Sequence, residues 1–343
     1  MAEIQLVDVS FSYPGAAGAT LEQLSLQVAD GQAHALLGAS GAGKTTLLNL
    51  LSGLLSPDQG RILFDGQDVS RLPGRERHVA QVFQFPVLYE SMSVRANLQF
   101  PLTNARVDVD VARQRIDHVS AELGIESLLE RRAGQLGLFE KQLVAVAKAL
   151  VRPDVALVLL DEPLTAVEPK IKWQLRQVLR KAQADLGVTM IYVTHDQTEA
   201  LTFADQVSIL TAQGILQSGT PQQIYEAPAH EFVGHFVGSP GMNFVPAALF
   251  DQPQAERLGF RPEWAALVSP SAAALQGAVS RVRAQGSQGG EHVGLTTIVT
   301  QHGEVHVHGP LRFAVGHEVG IQVGRYVLFR AQQQIGTGRW HAE

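Results

Sequence analysis

The stretch AHALLGASGAGKTTLLNLLSGLL, residues 33–55, narrows the choice of fold more than any other in the chain. An apolar run leads into a loop with glycines at 38, 41 and 43, and the loop opens a run with leucines at 47, 48, 51 and 55, ended by Pro57. The short continuous apolar run fits a strand covered on both faces, and the leucines share one helical face. Glycine lets the loop curl so that backbone N–H groups converge, and the helix N-terminus adds its dipole. A strand–loop–helix of this composition is a phosphate cradle. Lys44 brings a point charge to the β- and γ-phosphates, and Thr45 offers a hydroxyl to Mg²⁺. Gly38, Ser40, Gly41, Gly43 and Thr46 complete the cradle. A glycine-rich turn with a chance Lys-Thr is the bland alternative, and the strand–loop–helix context weighs against it.

Three further apolar runs have the same character: HVAQVFQ (78–84), VALVLLD (155–161) and VTMIYVTH (188–195). Helical periods lie between them, one carrying Ile171, Leu175, Val178, Leu179 and Ala182 behind Pro169. Alternation of this kind predicts an α/β domain with a largely parallel sheet. Residues from about 87 to 150 show helical patterning with little strand signal, notably DVARQRIDHVSAELGI, and read as a helical insertion. After the Gly/Pro break GSPGMNFVP (238–246) come short alternating runs closely punctuated by glycine. They predict a small antiparallel β domain, a partly open barrel. The expected domains are 1–237 and 238–343.

Two runs end in chemistry. Asp161 and Glu162 follow six apolar residues, so a strand delivers both acids to its tip. An acid there holds Mg²⁺ through water, and its neighbour accepts a proton from an attacking water. His195 ends the next strand, where a neutral imidazole contacts a γ-phosphate and orients the water. Gln84, at the end of QVFQ, is a candidate to join Mg²⁺ and water, although a lone Gln at a strand end is more often plain surface. Tyr13 is the candidate to stack on a base, with Phe11 as competitor. Strand alternation puts both on one face and does not choose between them. His306 and His308 share a strand face but lack a third ligand, so exposed strand residues are favoured over a metal site.

The bulk numbers exclude more than they assign. The 343 residues suffice for two domains. A net charge of -6 speaks against a nucleic-acid partner. With no cysteine, disulfides, thiolate metal sites and a thiol nucleophile are ruled out. No stretch approaches the roughly 20 apolar residues of a membrane helix, and MAEIQLVDVS lacks the basic-then-apolar pattern of a secretory signal. Work at a membrane therefore needs a partner that carries the span.

These motifs resemble the ATP-binding subunit of an ABC transporter. GASGAGKTT resembles the Walker A loop, and VALVLLDEP resembles Walker B with its catalytic acid. FQFPVLYESMSV is similar to the Q-loop and VTHDQTEAL to the His switch. FVGSPGMNF and RPEW resemble the C-terminal β domain of sugar and polyol importers. RILFDGQDV, AQVFQFPV and SPGMNFVPA are similar to one ATPase subunit of bacterial glycerol importers. The resemblance implies a P-loop ATPase with a helical subdomain and a TOBE-like β domain. It implies ATP and Mg²⁺ as ligands, with Thr45, Gln84 and Asp161 toward the metal. It further implies two membrane-spanning permease subunits, an indirect extracytoplasmic solute-binding protein, and a place on the cytoplasmic face of the plasma membrane.

One departure stands out. Where the family reads Leu-Ser-Gly-Gly-Gln, this chain reads Leu136-Gly137-Leu138-Phe139-Glu140. Leu and Phe put bulk where backbone approaches phosphate, and Glu140 brings negative charge to a helix N-terminus. The stretch reads better as a capped helix packing Phe139, Leu143, Val146 and Leu150. Glu168 also stands where the family's D-loop has Asp. The departure implies a second ATPase subunit with an intact signature and one poor site in the pair, while the resemblance implies glycerol import as the leading expectation. Import of glycerol 3-phosphate or sugars, a soluble ABC protein and a nucleotide sensor are the alternatives.

Overall fold

The computed structural model describes residues 2–16, 18–165, 167–288 and 291–339, excepting the side chains of Pro169 and Gln288. It divides into two compact units, 1–221 and 222–343.

The first unit opens with β1 (Ile4–Phe11), β2 (Leu21–Val28) and β3 (Ala33–Gly38), followed by α1 (Lys44–Ser52), β4 (Gln59–Phe64), β5 (Gln67–Asp68) and β6 (Val79–Val82). Three helices come next, α2 (Val94–Asn104), α3 (Val109–Leu123) and α4 (Leu138–Leu150). Then follow β7 (Leu157–Asp161), α5 (Pro169–Leu186), β8 (Met190–Thr194), α6 (Gln197–Phe203), β9 (Gln206–Thr211) and β10 (Gly214–Gly219). The principal sheet has the order β10-β9-β3-β8-β7-β6, parallel except for β10. A second, antiparallel sheet runs β2-β1-β4-β5.

Every residue of β3 and β8 is buried, as is β7 up to its final acid. That is why these runs read as continuous apolar stretches rather than alternating ones. Leu47, Leu48 and Leu51 turn α1 onto the core between the two sheets, with Leu55 packed against it. His34, on central strand β3, is also fully buried; its Nε2 meets the Ser208 hydroxyl at 2.8 Å, and that hydroxyl meets Ser218 at 2.6 Å. The helical patterning between about 87 and 150 becomes α2, α3 and α4, with no strand between β6 and β7 among the described residues.

The second unit holds α7 (Pro221–Glu226, beginning at the junction) and α8 (Glu231–Phe236). Its strands are β11 (Asn243–Pro246), β12 (Arg257–Phe260), β13 (Ala265–Val268), β14 (Leu275–Gln288), β15 (Glu291–Thr300), β16 (Gly303–Pro310), β17 (Glu318–Val323), β18 (Arg325–Arg330) and β19 (Gln333–Arg339). They form two open antiparallel sheets, β11-β12-β18-β19 and β13-β17-β14-β15-β16, over one apolar core containing Phe260, Leu275, Ile298 and Ile321.

The division falls between Pro221 and Gln222, in the first turn of α7, whereas the Gly/Pro break predicted 237/238. Arg261 supplies the reason. Fully buried, it donates to the carbonyl oxygens of Tyr225, Gly234 and Val237, and its guanidinium lies 4.1 Å from the Tyr225 ring centre. The two short helices are thus tied to the β core that follows them. No helix among the described residues is long and apolar enough to cross a membrane.

Candidate functional site

The parallel register sets the site. Leu37 pairs with Thr194, and Asp161 pairs with Val193, so the C-terminal ends of β3, β8 and β7 lie side by side. Strand β8 stands between the phosphate-loop strand and the acid-bearing strand. Crevices outside the carboxyl ends of such strands are where open α/β sheets bind ligands.

At β3 the chain must turn sharply. A Cβ on Gly38 would stand 2.4 Å from the Leu210 carbonyl oxygen, so no other residue fits without moving β9. Gly43 has φ 91°, a left-handed conformation suited to glycine, and caps α1 without a side-chain hydrogen bond. No acid sits in the first turn of α1. Its leading N–H groups and the positive end of its dipole are therefore left open to an anion rather than closed by an acid of the same turn. Lys44 Nζ donates to the carbonyl oxygens of Gly38 (2.7 Å) and Ala39 (2.9 Å). Burial lowers the Lys44 pKa, opposed by the negative field of Glu162 and Asp161.

The acids are differentiated by their surroundings. Burial raises the Asp161 carboxyl, and the neighbouring Glu162 adds to this against the pull of Lys44. Glu162 has φ 45°, a strained value for a non-glycine residue. That geometry turns its side chain back toward β8: Oε1 meets His195 Nδ1 at 2.9 Å, and Oε2 accepts from the Thr165 hydroxyl at 3.0 Å. Burial pushes the Glu162 carboxyl up, but these two hydrogen bonds and the positive field of His195 and Lys44 together outweigh it and hold the group below its ordinary value. Glu162 is thus kept ionised as an acceptor and fixed in direction at the same time.

These residues surround a cavity of about 620 Å³ lined by Thr20, Ser40, Gly41, Gly43, Lys44, Thr45, Thr46, Asp161, Glu162, Val193 and His195. Its size suits a nucleotide. Of the residues singled out in the sequence, Ser40, Gly41, Gly43, Lys44, Thr45, Thr46, Asp161, Glu162 and His195 meet here, with Gly38 behind the loop holding Lys44. Tyr13 lies outside the lining but touches it, its hydroxyl 3.2 Å from Thr46 Oγ1. It is 42% exposed while Phe11 is 6% exposed in the core, so the structure separates two candidates that alternation left together. The rings meet edge to face at 5.0 Å.

Gln84 is not among the residues that line the cavity. Strand β6 stops at Val82, where its pairing with β7 ends at Leu160, and Gln84 sits in a bend beyond it without reaching the cavity wall. Thr20 and Thr165 went unnoticed in the sequence; only the spacing of Thr165, three residues after Glu162, offered a signal. For Mg²⁺, the Thr45 hydroxyl and the Asp161 carboxylate are hard oxygen donors in one cavity, the donor chemistry this ion takes. His306 is partly buried with Nδ1 on the Thr297 hydroxyl at 3.2 Å.

The sequence profile described as "ABC transporter" matches residues 21–165. An sn-glycerol-3-phosphate import ATP-binding protein from Rhizobium meliloti is 40% identical over 274 residues, covering 77% of this chain and 78% of the relative. The chain belongs to the ABC transporter family. A trehalose import ATP-binding protein from Mycobacterium tuberculosis is 42% identical over 249 residues, 73% of this chain and 63% of that relative's length. Among solved structures, cbiO1 from Clostridium perfringens, part of the ABC transporter complex cbiONQ, matches with a TM-score of 0.60 at 28% identity over 64% of this chain and 89% of that one.

In this ABC subunit the signature position is the first turn of α4. Gly137 is its N-cap, and Glu140 reaches back so that Oε2 accepts from the Gly137 N–H at 2.8 Å. The other carboxylate oxygen, Oε1, takes an Arg131 guanidinium at 3.1 Å. Leu143, Val146 and Leu150 are buried, Phe139 half-buried, and Leu138 exposed. Glu140 thus satisfies the N-cap N–H and sets a carboxylate in the first turn, in line with the capped-helix reading.

Proposed function

We propose that this chain is the ATP-hydrolysing subunit of a bacterial importer for glycerol or a related polyol or sugar. In this reading it works in a heteromeric pair with a second ATPase subunit whose signature is intact. The catalytic assignment follows from charge and direction. Backbone N–H groups of the loop, with Lys44, bind and orient the β- and γ-phosphates. Thr45 and Asp161 would hold Mg²⁺, which would supply positive charge against the phosphates. Glu162 accepts the proton of the attacking water, and His195 orients Glu162 and faces the γ-phosphate. Tyr13 offers its ring to the base.

The pairing rests on one observation, the self-capped N-terminus of α4 carrying Glu140. A carboxylate there repels phosphate, so a second copy of this chain would complete the Lys44 site poorly. A partner with serine and glycines at that position would complete it well. The substrate class rests on the named relatives, which import trehalose and glycerol 3-phosphate.

Two permease subunits are the proposed membrane partners, placing the protein on the cytoplasmic face of the membrane. Phe83, Phe85, Val87 and Tyr89 are exposed in sequence after β6, beside a cavity of about 270 Å³ reaching Pro101 and Lys148. Such a row of exposed apolar side chains is expected at a protein interface. The test is ATPase and uptake in proteoliposomes, with this chain, the partner ATPase and the permeases reconstituted together and glycerol, glycerol 3-phosphate and sugars offered separately. Brisk hydrolysis by this chain alone would remove the heteromeric pair. Uptake restricted to a sugar would replace glycerol as the substrate.

A further inference from the structure

The turn that carries His195 is held from behind by a charge that the catalytic scheme leaves unused. Glu199 on α6 is 1% exposed. A buried carboxylate is tolerated only when paired, and every pairing of this one leads back to the site. Its Oε2 accepts from the Tyr192 hydroxyl at 3.0 Å and the Thr194 hydroxyl at 2.9 Å, both on β8. The Thr194 hydroxyl in turn accepts from the Asp196 N–H at 2.9 Å, and the Asp196 carboxylate caps α6 at Thr198 and Glu199. His195 is the single residue between these two anchors.

The other carboxylate oxygen points to a different element. Glu199 Oε1 accepts from Lys172 Nζ at 3.0 Å, one turn into α5. Helix α5 opens at its N-cap Glu168, directly after the segment that starts at Glu162. Glu199 thus joins the turn that carries His195 to the first turn of α5, which limits how far the imidazole that meets Glu162 at 2.9 Å can drift.

We propose that Glu199 is the positioning residue for His195, setting the turn through Thr194 so that the imidazole stays on Glu162 at the cavity wall. The proposal rests on the reading of Glu162 and His195 as a catalytic pair. A merely structural Glu199 would stabilise the core and leave His195 indifferent to its loss.

The test is kcat at saturating ATP in the reconstituted assembly for Thr194→Val and Glu199→Gln, each made in wild type and in His195→Ala, with affinity for a fluorescent ATP analogue measured beside it. His195→Ala cuts kcat by about 10²-fold or more, the range for an acid–base partner. Thr194→Val and Glu199→Gln lower kcat by about tenfold in wild type and by less than about twofold in His195→Ala, because a residue that acts through His195 has nothing left to lose there. Affinity for the ATP analogue stays within about twofold of wild type in each variant. If Glu199→Gln does not fold, Thr194→Val decides. Equal losses in the two backgrounds, or no loss in wild type, overturn the positioning role and leave the catalytic pair standing. Wild-type kcat in His195→Ala overturns both.

Discussion

Helices α1 and α4 begin in the same way and end up with opposite tasks. Each has a glycine N-cap and a buried apolar face, and each lies in the same unit. The first turn of α1 holds Lys44 and Thr45 and no acid, so its N–H groups are directed at phosphate. The first turn of α4 holds Glu140, which takes the N-cap N–H for itself and recruits Arg131. Three residues after the cap, one side chain thus decides whether a helix N-terminus binds an anion or is already satisfied. In the proposed heteromeric pair, the other half of the nucleotide site then has to come from the partner.

The largest expected effect tests the α1 side. Glu162→Gln should cut steady-state ATPase in the reconstituted assembly by about 10²- to 10⁴-fold while ATP binding persists, because the proton acceptor is lost and the cradle kept. Turnover near wild type would take Glu162 out of its role. The next effect comes from the missing half. Mutating the signature Ser of the partner to Arg should silence the Lys44 site by about 10²- to 10³-fold, whereas Phe139→Ala here should leave that site alone. Equal losses from the two variants would mean both sites turn over, and the contrast between the helices would lose its functional meaning.

Lys44→Ala should weaken ATP affinity by about 10- to 100-fold, the range for one charged hydrogen bond, measured by equilibrium binding. Unchanged affinity would break the phosphate-loop assignment. The smallest effect belongs to α4. Glu140→Ala should cost about 1 kcal/mol of unfolding free energy in urea, the ordinary value of an N-terminal cap, and should spare hydrolysis at the Lys44 site. A loss of hydrolysis there comparable to that of Glu162→Gln would show that α4 serves this chain's own nucleotide.

Much of the site was legible because it is local. The phosphate loop needs glycine, lysine and threonine within nine residues, and the acids need only a buried strand before them. What failed was what depends on distant neighbours. The apolar alternation of HVAQVFQ promised a strand to Gln84, yet Phe83 and Phe85 are 44% and 67% exposed and pairing had already ended at Val82. Tyr13 and Phe11 were inseparable by period. They parted because β1 stops at Phe11 and releases the residues after it. The unit boundary shifted because Arg261 reaches back across more than twenty residues to α7 and α8, a contact without any local signature.

His34 carries a consequence for how the protein meets acid. Buried on β3, with Nδ1 lacking a partner, it resists protonation, and burial pulls its pKa down to about 4 from 6.5. The unfolded chain takes up that proton near pH 6.5 while the folded one does not. Stability is therefore whole above that pH and erodes as pH falls toward 4, by roughly 3 kcal/mol in full. Below that the folded state takes the proton too, and this loss levels off. Acidification therefore costs stability through the strand that leads into the phosphate loop, by way of a side chain outside the cavity lining.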